Sequence, residues 1–285
     1  MTVLLVTCQE MPTGEPGGEH LVTACRARGI EATWVAWDDS SVDWNSGLVC
    51  LRSPWDYAAR REEFVDWVRG VPWLLNSAEI FSWNLDKSYL VALSAYVATV
   101  PSVVIDSAGD LPEALQTVGT PAVLKPAVGV GGAGVSIVRD AEEAVAALGP
   151  PSGRWLAQPL LDSVRSEGEW SVFVLDGNVI SAALKHAAPG EFRVHEHFGG
   201  HIEHVGLSAE LSELATATVA AAEHLLGLRL DYARVDALRG PEGTLLVSEL
   251  EVIEPGLYLN VIPENAEVFA DLVASRLAVG RMDVS

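Results

Sequence analysis

The sequence predicts an α/β chain: a small parallel α/β domain at the N-terminus, followed by two α+β subdomains. Three observations predict it. Short apolar runs alternate with helix-period segments over the first quarter of the chain. Two hairpins occupy the middle, one carrying four glycines between Gly129 and Gly134, the other turning at Asp176-Gly177. A third hairpin, Asp231–Leu238 with Leu245–Glu251, alternates apolar residues with Arg234, Asp236, Glu249 and Glu251.

Val3–Thr7 is the first strand, too short and too poor in basic residues to be a signal peptide. The loop Met11–Gly18 leads to Glu15 and Glu19 where a dinucleotide site would need bare glycines, so no cofactor is expected there. A helix over Glu19–Arg28 stops at Gly29, and Ala32–Ala36 and Gly47–Leu51 are the next strands. Arg52-Ser53-Pro54-Trp55-Asp56-Tyr57 then follows. Open parallel sheets bind ligands beyond the carboxyl ends of their strands, so Arg52, Asp56 and Tyr57 are candidate substrate-binding residues. The alternative is an Arg52–Asp56 ion pair that shapes a turn. Seven of the nine tryptophans lie between Trp34 and Trp83, and Trp55, Trp67 and Trp73 are expected to pack beneath this turn. A helix over Glu62–Arg69 and a strand over Trp73–Leu75 complete the domain.

Asn84 or Asp86 can cap a helix running to about Val97. Lys87 would lie in its first turn, where the macrodipole disfavours a cation, so it either points away or answers a stronger anion. A strand (Ser102–Ile105) and a helix (Leu111–Val118) lead to Ala122–Val135, AVLKPAVGVGGAGV. Its glycines allow backbone N–H groups to approach an anion, and Lys125 supplies a cation at the entrance, a combination suited to a nucleotide triphosphate. A mobile turn is the alternative. No Gly-Lys-Ser/Thr follows, and no helix opens directly after the glycines, which excludes a P-loop and a Rossmann turn. A helix over Glu142–Leu148 is expected to end at Gly149-Pro150-Pro151. Pro159 interrupts the strand Trp155–Leu161, the form of a hinge between subdomains. The expected domains are 1–83, 84–157 and 158–285.

Lys185–Gly200 is basic and irregular, and five of the seven histidines fall between His186 and His204. His195 and His197 resemble a zinc pair, since alternate strand residues share a face. No nearby carboxylate or cysteine completes the set, so a strand entering a glycine turn is expected. A long helix, Glu210–Leu226, precedes the third hairpin. If its faces coincide, three carboxylates crowd around Arg234 and cannot all ionise without a further cation. Oxygen donors at that density suit Mg2+; a solvated acidic face is the alternative. Glu254-Pro255-Gly256 and a helix over Ala266–Leu277 close the chain.

The totals narrow the function. With 285 residues, 49% hydrophobic and 20% charged, the chain can bury a sizeable core. A net charge of −21 argues against nucleic acid and anionic membranes as partners, and no apolar run approaches a membrane span. Cys8, Cys25 and Cys50 form no CxxC pair, which fits buried filler in a reducing cytoplasm.

In order, these stretches resemble the ATP-grasp ligase superfamily: Lys87 in Asn-x-Asp-Lys, Lys125 before the glycine hairpin, Gln158-Pro159-Leu160, Glu169 before a hairpin, and Asp236, Glu249 and Glu251 on the last one. The layout is similar to bacterial glutathione synthetase. Arg-Ser-x-Trp-Asp-Tyr, Glu-Gly-Glu, Pro-Gly-Glu-Phe-Arg-Val and Glu-Leu-Glu-x-Ile-Glu-Pro look like the D-cycloserine synthetase group. The resemblance implies an ATP-grasp fold whose two later subdomains clasp ATP. It implies ATP bound by Lys87, Lys125, Gly131, Gly132, Gln158, Leu160 and Glu167. It implies Mg2+, two ions, on Asp236, Glu249 and Glu251, where glutathione synthetases have asparagine in place of Glu251. Arg234 and Arg193 are the implied catalytic residues, and Lys185 and Glu254 join the substrate set. The implied reaction is ADP-forming C–N ligation of a small amino acid, with cyclisation of O-ureido-D-serine as the nearest model. An intermolecular amino-acid or dipeptide ligase and a non-catalytic nucleotide-binding scaffold are the alternatives. Relatives are often dimers, so a homodimer is compatible.

Overall fold

A computed structural model describes residues 1–148 and 153–282. The expected helix stop at Gly149-Pro150-Pro151 lies outside the described residues. Strands β1 (Thr2–Thr7), β2 (Glu31–Ala36) and β3 (Leu48–Ser53) form a parallel sheet in the order β2-β1-β3, with α1 (Glu19–Ala27) and α2 (Arg61–Gly70) between and after them. β1 and β3 read as continuous apolar runs because both faces of this sheet are covered. The predicted strand Trp73–Leu75 reduces to one bridge between Leu74 and Val49. Asn76, left-handed at φ 55°, turns the chain away immediately afterwards.

The predicted helix from Asn84 to Val97 is also corrected. A helix α3 (Ala78–Asn84) ends where it was expected to begin, and only the short α4 (Tyr89–Leu93) forms within its span. The two candidate caps serve other ends. Asn84 reaches across to accept from the Val252 amide (3.1 Å) and donate to the Leu250 carbonyl (2.8 Å). Asp86 accepts from the Ser88 amide (2.9 Å), while the Lys87 amide donates to the Ala127 carbonyl (2.8 Å). Lys87 therefore sits in a tight turn outside any helix dipole.

β4 (Val103–Ile105), α5 (Leu111–Val118), β5 (Ala122–Pro126), β6 (Ser136–Val138), α6 (Ala141–Leu148) and β7 (Trp155–Pro159) build a four-stranded antiparallel sheet, order β4-β7-β5-β6. Its core is small: Ile105, Leu111, Leu115, Leu124 and Val138 are the larger buried residues. β7 pairs with β5 through Pro159, and the glycine hairpin joins β5 to β6.

After α7 (Ser163–Ser166), β8 (Glu169–Leu175) and β9 (Asn178–His186) form the predicted hairpin, with Asp176 (φ 49°) and Gly177 (φ 76°) both left-handed, as a two-residue turn requires. β10 (His201–Val205), α8 (Ala209–Leu226), β11 (Tyr232–Arg239), β12 (Leu245–Glu251) and α9 (Glu264–Met282) follow. The five strands run in the order β10-β9-β8-β11-β12, all antiparallel. Ser208 caps α8 by accepting from the Leu211 amide, a bond worth about 1 kcal/mol. Two cores sandwich this sheet. One face packs on α9, α1 and the parallel sheet, and the other on α8 and α4. Among the described residues no helix is long and apolar enough to cross a membrane.

Candidate functional site

The site is laid out by strand register. β11 and β12 pair Arg234 with Glu251 and Asp236 with Glu249. β11 and β8 pair Asp236 with Ser171, and β8 and β9 pair Glu169 with Lys185. Residues two apart on a strand share a face, so these side chains form one charged row across four strands.

Arg234 donates to both oxygens of Asp236 at 2.9 Å, and also to Glu251 and to the Gly256 carbonyl (3.4 Å). Asp236 further accepts from Ser171 (2.6 Å) and Lys185 (2.9 Å). Lys185 bridges on to Glu169 (2.8 Å), whose other oxygen accepts from Ser248 (2.6 Å). Lys125 reaches the Ser248 carbonyl (3.3 Å) from β5. Lys87 contacts Glu249 (3.1 Å) and donates to the Gly129 carbonyl (2.7 Å), tying the base of the glycine hairpin to the carboxylates. Glu254 and Tyr57 are buried together beside this row, where burial and the Glu254 charge raise the phenol.

Four cations (Lys87, Lys125, Lys185, Arg234) face five carboxylates (Glu169, Asp236, Glu249, Glu251, Glu254), and the imbalance sorts their proton affinities. Burial works against charge on Asp236, but Arg234 and Lys185 outweigh it and hold the carboxyl well below its usual range. Glu249 is lowered in the same way by Lys87 and Lys125. Burial, reinforced by Asp236 and Glu249 against the pull of Arg234, pushes Glu251 up to about 8. Burial pushes Glu254 up to about 7 despite the neighbouring Tyr57 phenol. Among the cations, burial and then the Lys87 charge lower Lys125 despite the pull of Glu249. Lys87 is raised, because Glu249 overcomes its burial. Burial also raises the Tyr258 phenol.

Among the described residues no three His, Cys, Asp or Glu side chains group tightly enough to hold a metal ion in this arrangement. The expected triad is drawn apart onto internal cations: Asp236 onto Lys185 and Arg234, Glu249 onto Lys87, Glu251 onto Arg234. The donor chemistry still fits Mg2+. All three are hard oxygen ligands, and the raised proton affinity of Glu251 and Glu254 shows that the internal cations are too few to ionise every carboxyl in the row, which an added cation would do. His195 and His197 form no metal pair. His195 caps a short 3-10 turn, Glu196–Phe198, its ring accepting from the amide of His197 within that turn, and the expected strand begins only at His201.

The glycine hairpin rests on that segment. A Cβ added to Gly131 would meet His195 at 3.5 Å, and one added to Gly132 would meet Phe198 at 3.3 Å. Arg193 lies beneath, its guanidinium 3.6 Å over the Phe198 ring and bonded to Glu191 (2.6 Å), with its Nε buried and unpartnered. Arg193 is thus set against the hairpin tip. At the hinge, Gln158 donates to Ser102 (2.8 Å) and the Leu160 amide to the Pro121 carbonyl (3.2 Å). Beyond it a cleft of about 280 Å3 is lined by Leu160, Ser163, Glu167 and Arg239, with Arg239 donating to Glu167 (3.2 Å). A larger cleft, about 440 Å3, lies at the outer edge of the parallel sheet between α1 and β2, far in sequence from every charged group just described.

Two expected substrate residues are corrected. Arg52 is fully buried and bonded twice to Glu15 Oε1 (3.1 and 2.8 Å) and once to the Pro255 carbonyl (2.6 Å). Asp56 accepts from Trp37 Nε1 (2.8 Å) and pairs with Arg60, so no Arg52–Asp56 pair forms either. Trp67 packs as expected against Trp37 and Phe64, but Trp73 is 37% exposed. Sequence reasoning missed Ser171 and Ser248, whose only signal was their alternation with the charged residues, and Tyr258, which sits in a loop without periodicity.

Comparison with known proteins places this geometry. Residues 3–76 match the model of the D-cycloserine synthetase DcsG N-terminal domain, and residues 86–259 the RimK-like ATP-grasp domain. The cycloserine biosynthesis protein DcsG of Streptomyces lavendulae is 32% identical over 282 residues, covering 90% of this chain and 92% of that protein. A crystal structure of D-cycloserine synthetase DcsG superposes with a TM-score of 0.87 at 29% identity, over 97% of this chain and 100% of that one. A probable alpha-L-glutamate ligase of Pasteurella multocida is 32% identical over 190 residues, 64% of this chain and 57% of that protein.

Proposed function

Since the chain belongs to the ATP-grasp ligase family, alongside DcsG, we propose that it activates the carboxylate of a small amino acid with ATP and closes O-ureido-D-serine to D-cycloserine. One observation carries the reading: Lys87 and Lys125 converge with Glu249 at the base of the glycine hairpin, in a row holding more carboxylates than cations. Such a site suits a triphosphate with its metal.

In this reading Lys87, Lys125 and the amides around Gly131 and Gly132 hold the phosphates. Gln158, Leu160 and Glu167 take the nucleoside. Glu249, Glu251 and Asp236 hold two Mg2+ ions, which screen phosphate charge. Tyr57 and Glu254 bind the amino-acid part. Arg52 and Asp56 drop out of the substrate set, because both are committed to protein partners. Lys185 serves by orienting Asp236 and Glu169. Residues 1–83 supply the substrate side, 84–157 the lid and 158–285 the carboxylate face.

A carboxylate oxygen of the substrate attacks the γ-phosphorus, the bond to the β-phosphate oxygen breaks, and ADP leaves. The oxygen-bound nitrogen of the same molecule attacks the acyl carbon, phosphate departs with the former carboxylate oxygen, and the nitrogen loses its proton. Water then cleaves the carbamoyl group from that nitrogen, releasing it as carbamate that breaks down to CO2 and ammonia, which leaves D-cycloserine. Arg234 neutralises charge on the transferring phosphoryl and on the tetrahedral intermediate, while Arg193 secures the closed hairpin. Three free cysteines suit the cytoplasm, where Mg-ATP is supplied. A homodimer is the expected assembly, and sizing in solution checks it.

ADP release from Mg-ATP with O-ureido-D-serine as the only amino acid tests the reading. Release dependent on that compound supports cyclisation, since no second acceptor is present. Release only with pairs of amino acids would assign an intermolecular ligase instead.

A further inference from the structure

The chain has five tyrosines. Tyr96 lies on the surface, 53% exposed. Two others have their hydroxyls satisfied, Tyr89 by the Leu250 carbonyl (2.7 Å) and Tyr232 by the Ile253 carbonyl (2.7 Å), and Tyr57 is buried beside Glu254. Tyr258 is the partly exposed one in the site, and its hydroxyl has no hydrogen-bond partner among the described residues. The charges of Arg234, Lys185, Asp236 and Glu251 act on it.

The position is held deliberately. Tyr258 has φ 53°, a left-handed backbone that costs a bulky residue about 1–3 kcal/mol. Bonds on both sides enforce it. Arg52 donates to the Pro255 carbonyl (2.6 Å), and the Leu257 amide donates to Glu15 (2.7 Å). Asn265 donates to the Leu257 carbonyl (2.9 Å), and the Ile262 amide to the Tyr258 carbonyl (2.7 Å). The buried Arg52–Glu15 pair thus clamps the turn that presents this tyrosine. The ring stands edge-on to Phe173, centroids 5.5 Å apart, with the Arg234 guanidinium 5.2 Å from its centroid. Gly256 lies between the two rings: an added Cβ would stand in ordinary contact, 3.6 Å from Tyr258 and 3.7 Å from Trp55.

We propose that Tyr258 contacts the substrate, its hydroxyl donating a hydrogen bond to the carboxyl end of the amino acid beside Arg234. A phenol without a protein partner next to an arginine matches an anionic or acyl oxygen, the group that the reaction modifies. This assignment rests on the ligase reading above.

Tyr258→Phe tests it, because the variant keeps ring, stacking and backbone and removes one oxygen. ADP release is measured with O-ureido-D-serine varied at saturating Mg-ATP, then with ATP varied. The expected result is a loss of about tenfold in kcat/KM for the amino acid, the scale of one hydrogen bond, with KM for ATP and Tm unchanged. An unchanged kcat/KM for the amino acid in a working enzyme would remove Tyr258 alone. Equal rises in both KM values with a lowered Tm would make its role structural and overturn the proposal. A wild-type protein that releases no ADP with O-ureido-D-serine would overturn the substrate reading, and the Tyr258 contact with it.

Discussion

Arg52 and Arg234 are both buried arginines on strands, and in the sequence each precedes an aspartate by a few residues. Their surroundings differ in charge balance. Arg52 meets one carboxylate, Glu15, the carbonyls of Leu51 and Pro255, and the faces of Phe269 (4.9 Å) and Tyr232 (5.9 Å). Every donor it uses is answered by groups of the protein, and both partners are almost fully buried. Arg234 meets two carboxylates in a row where anions outnumber cations, beside Glu251, which keeps 27% of its side chain exposed. A balanced buried pair is finished as a structure. An unbalanced cluster at an accessible edge needs a ligand to complete it.

The sharpest way to separate the two is to remove charge from each. Glu249→Gln should lower ADP release on the order of a thousandfold, the scale of losing a group that stabilises developing charge, with the thermal transition preserved. Wild-type activity in that variant would sink the assignment of Glu249 to the machinery. Arg52→Met should do the reverse. It strands Glu15 without its cation and should cost about 3–5 kcal/mol in denaturant unfolding. A stable Arg52→Met protein with a raised KM for the amino acid would return Arg52 to the substrate set.

Smaller effects test the lid. Gly132 has φ 74°, and its Cβ position lies 3.3 Å from Phe198. Gly132→Ala should therefore weaken hairpin closure by about 1 kcal/mol, roughly fivefold in KM for ATP. An unchanged KM would mean that the hairpin opens away from Phe198 when ATP binds. The smallest effect expected is on pH dependence. Burial raises Glu251 to about 8 and Glu254 to about 7, from an ordinary 4.5. Folding favours their protonated forms, so the stability they contribute is full below pH 4.5 and is lost as pH rises through 7 and 8. Metal-free protein should melt at a lower temperature at pH 8.5 than at pH 6, and Mg2+ should raise Tm more at the higher pH. An equal Mg2+ effect at both values would detach these carboxylates from the metal.

What was legible in the sequence follows from the range of the interactions. The alternation of Arg234, Asp236, Glu249 and Glu251 reports a strand face directly, and Asp-Gly reports its own turn, so both hairpins and the charged row could be read. The turn after Asn84 could not, because the Lys87 amide finds its partner at Ala127, forty residues on. The Arg52–Glu15 pair spans thirty-seven residues, and Asp56 offered a nearer but wrong partner. His195 and His197 show the usual failure of a spacing argument: alternation puts two rings on one face only if the segment is a strand, and this one turns.

The measurement that reaches the central claim most directly follows one oxygen atom. O-ureido-D-serine labelled with 18O in its carboxylate is turned over with unlabelled Mg-ATP, and the released phosphate is analysed. Carboxylate activation by phosphoryl transfer predicts phosphate carrying one 18O per turnover. Unlabelled phosphate, with ADP formed in step with the substrate consumed, would contradict the acyl-phosphate route and leave ATP hydrolysis as a separate event.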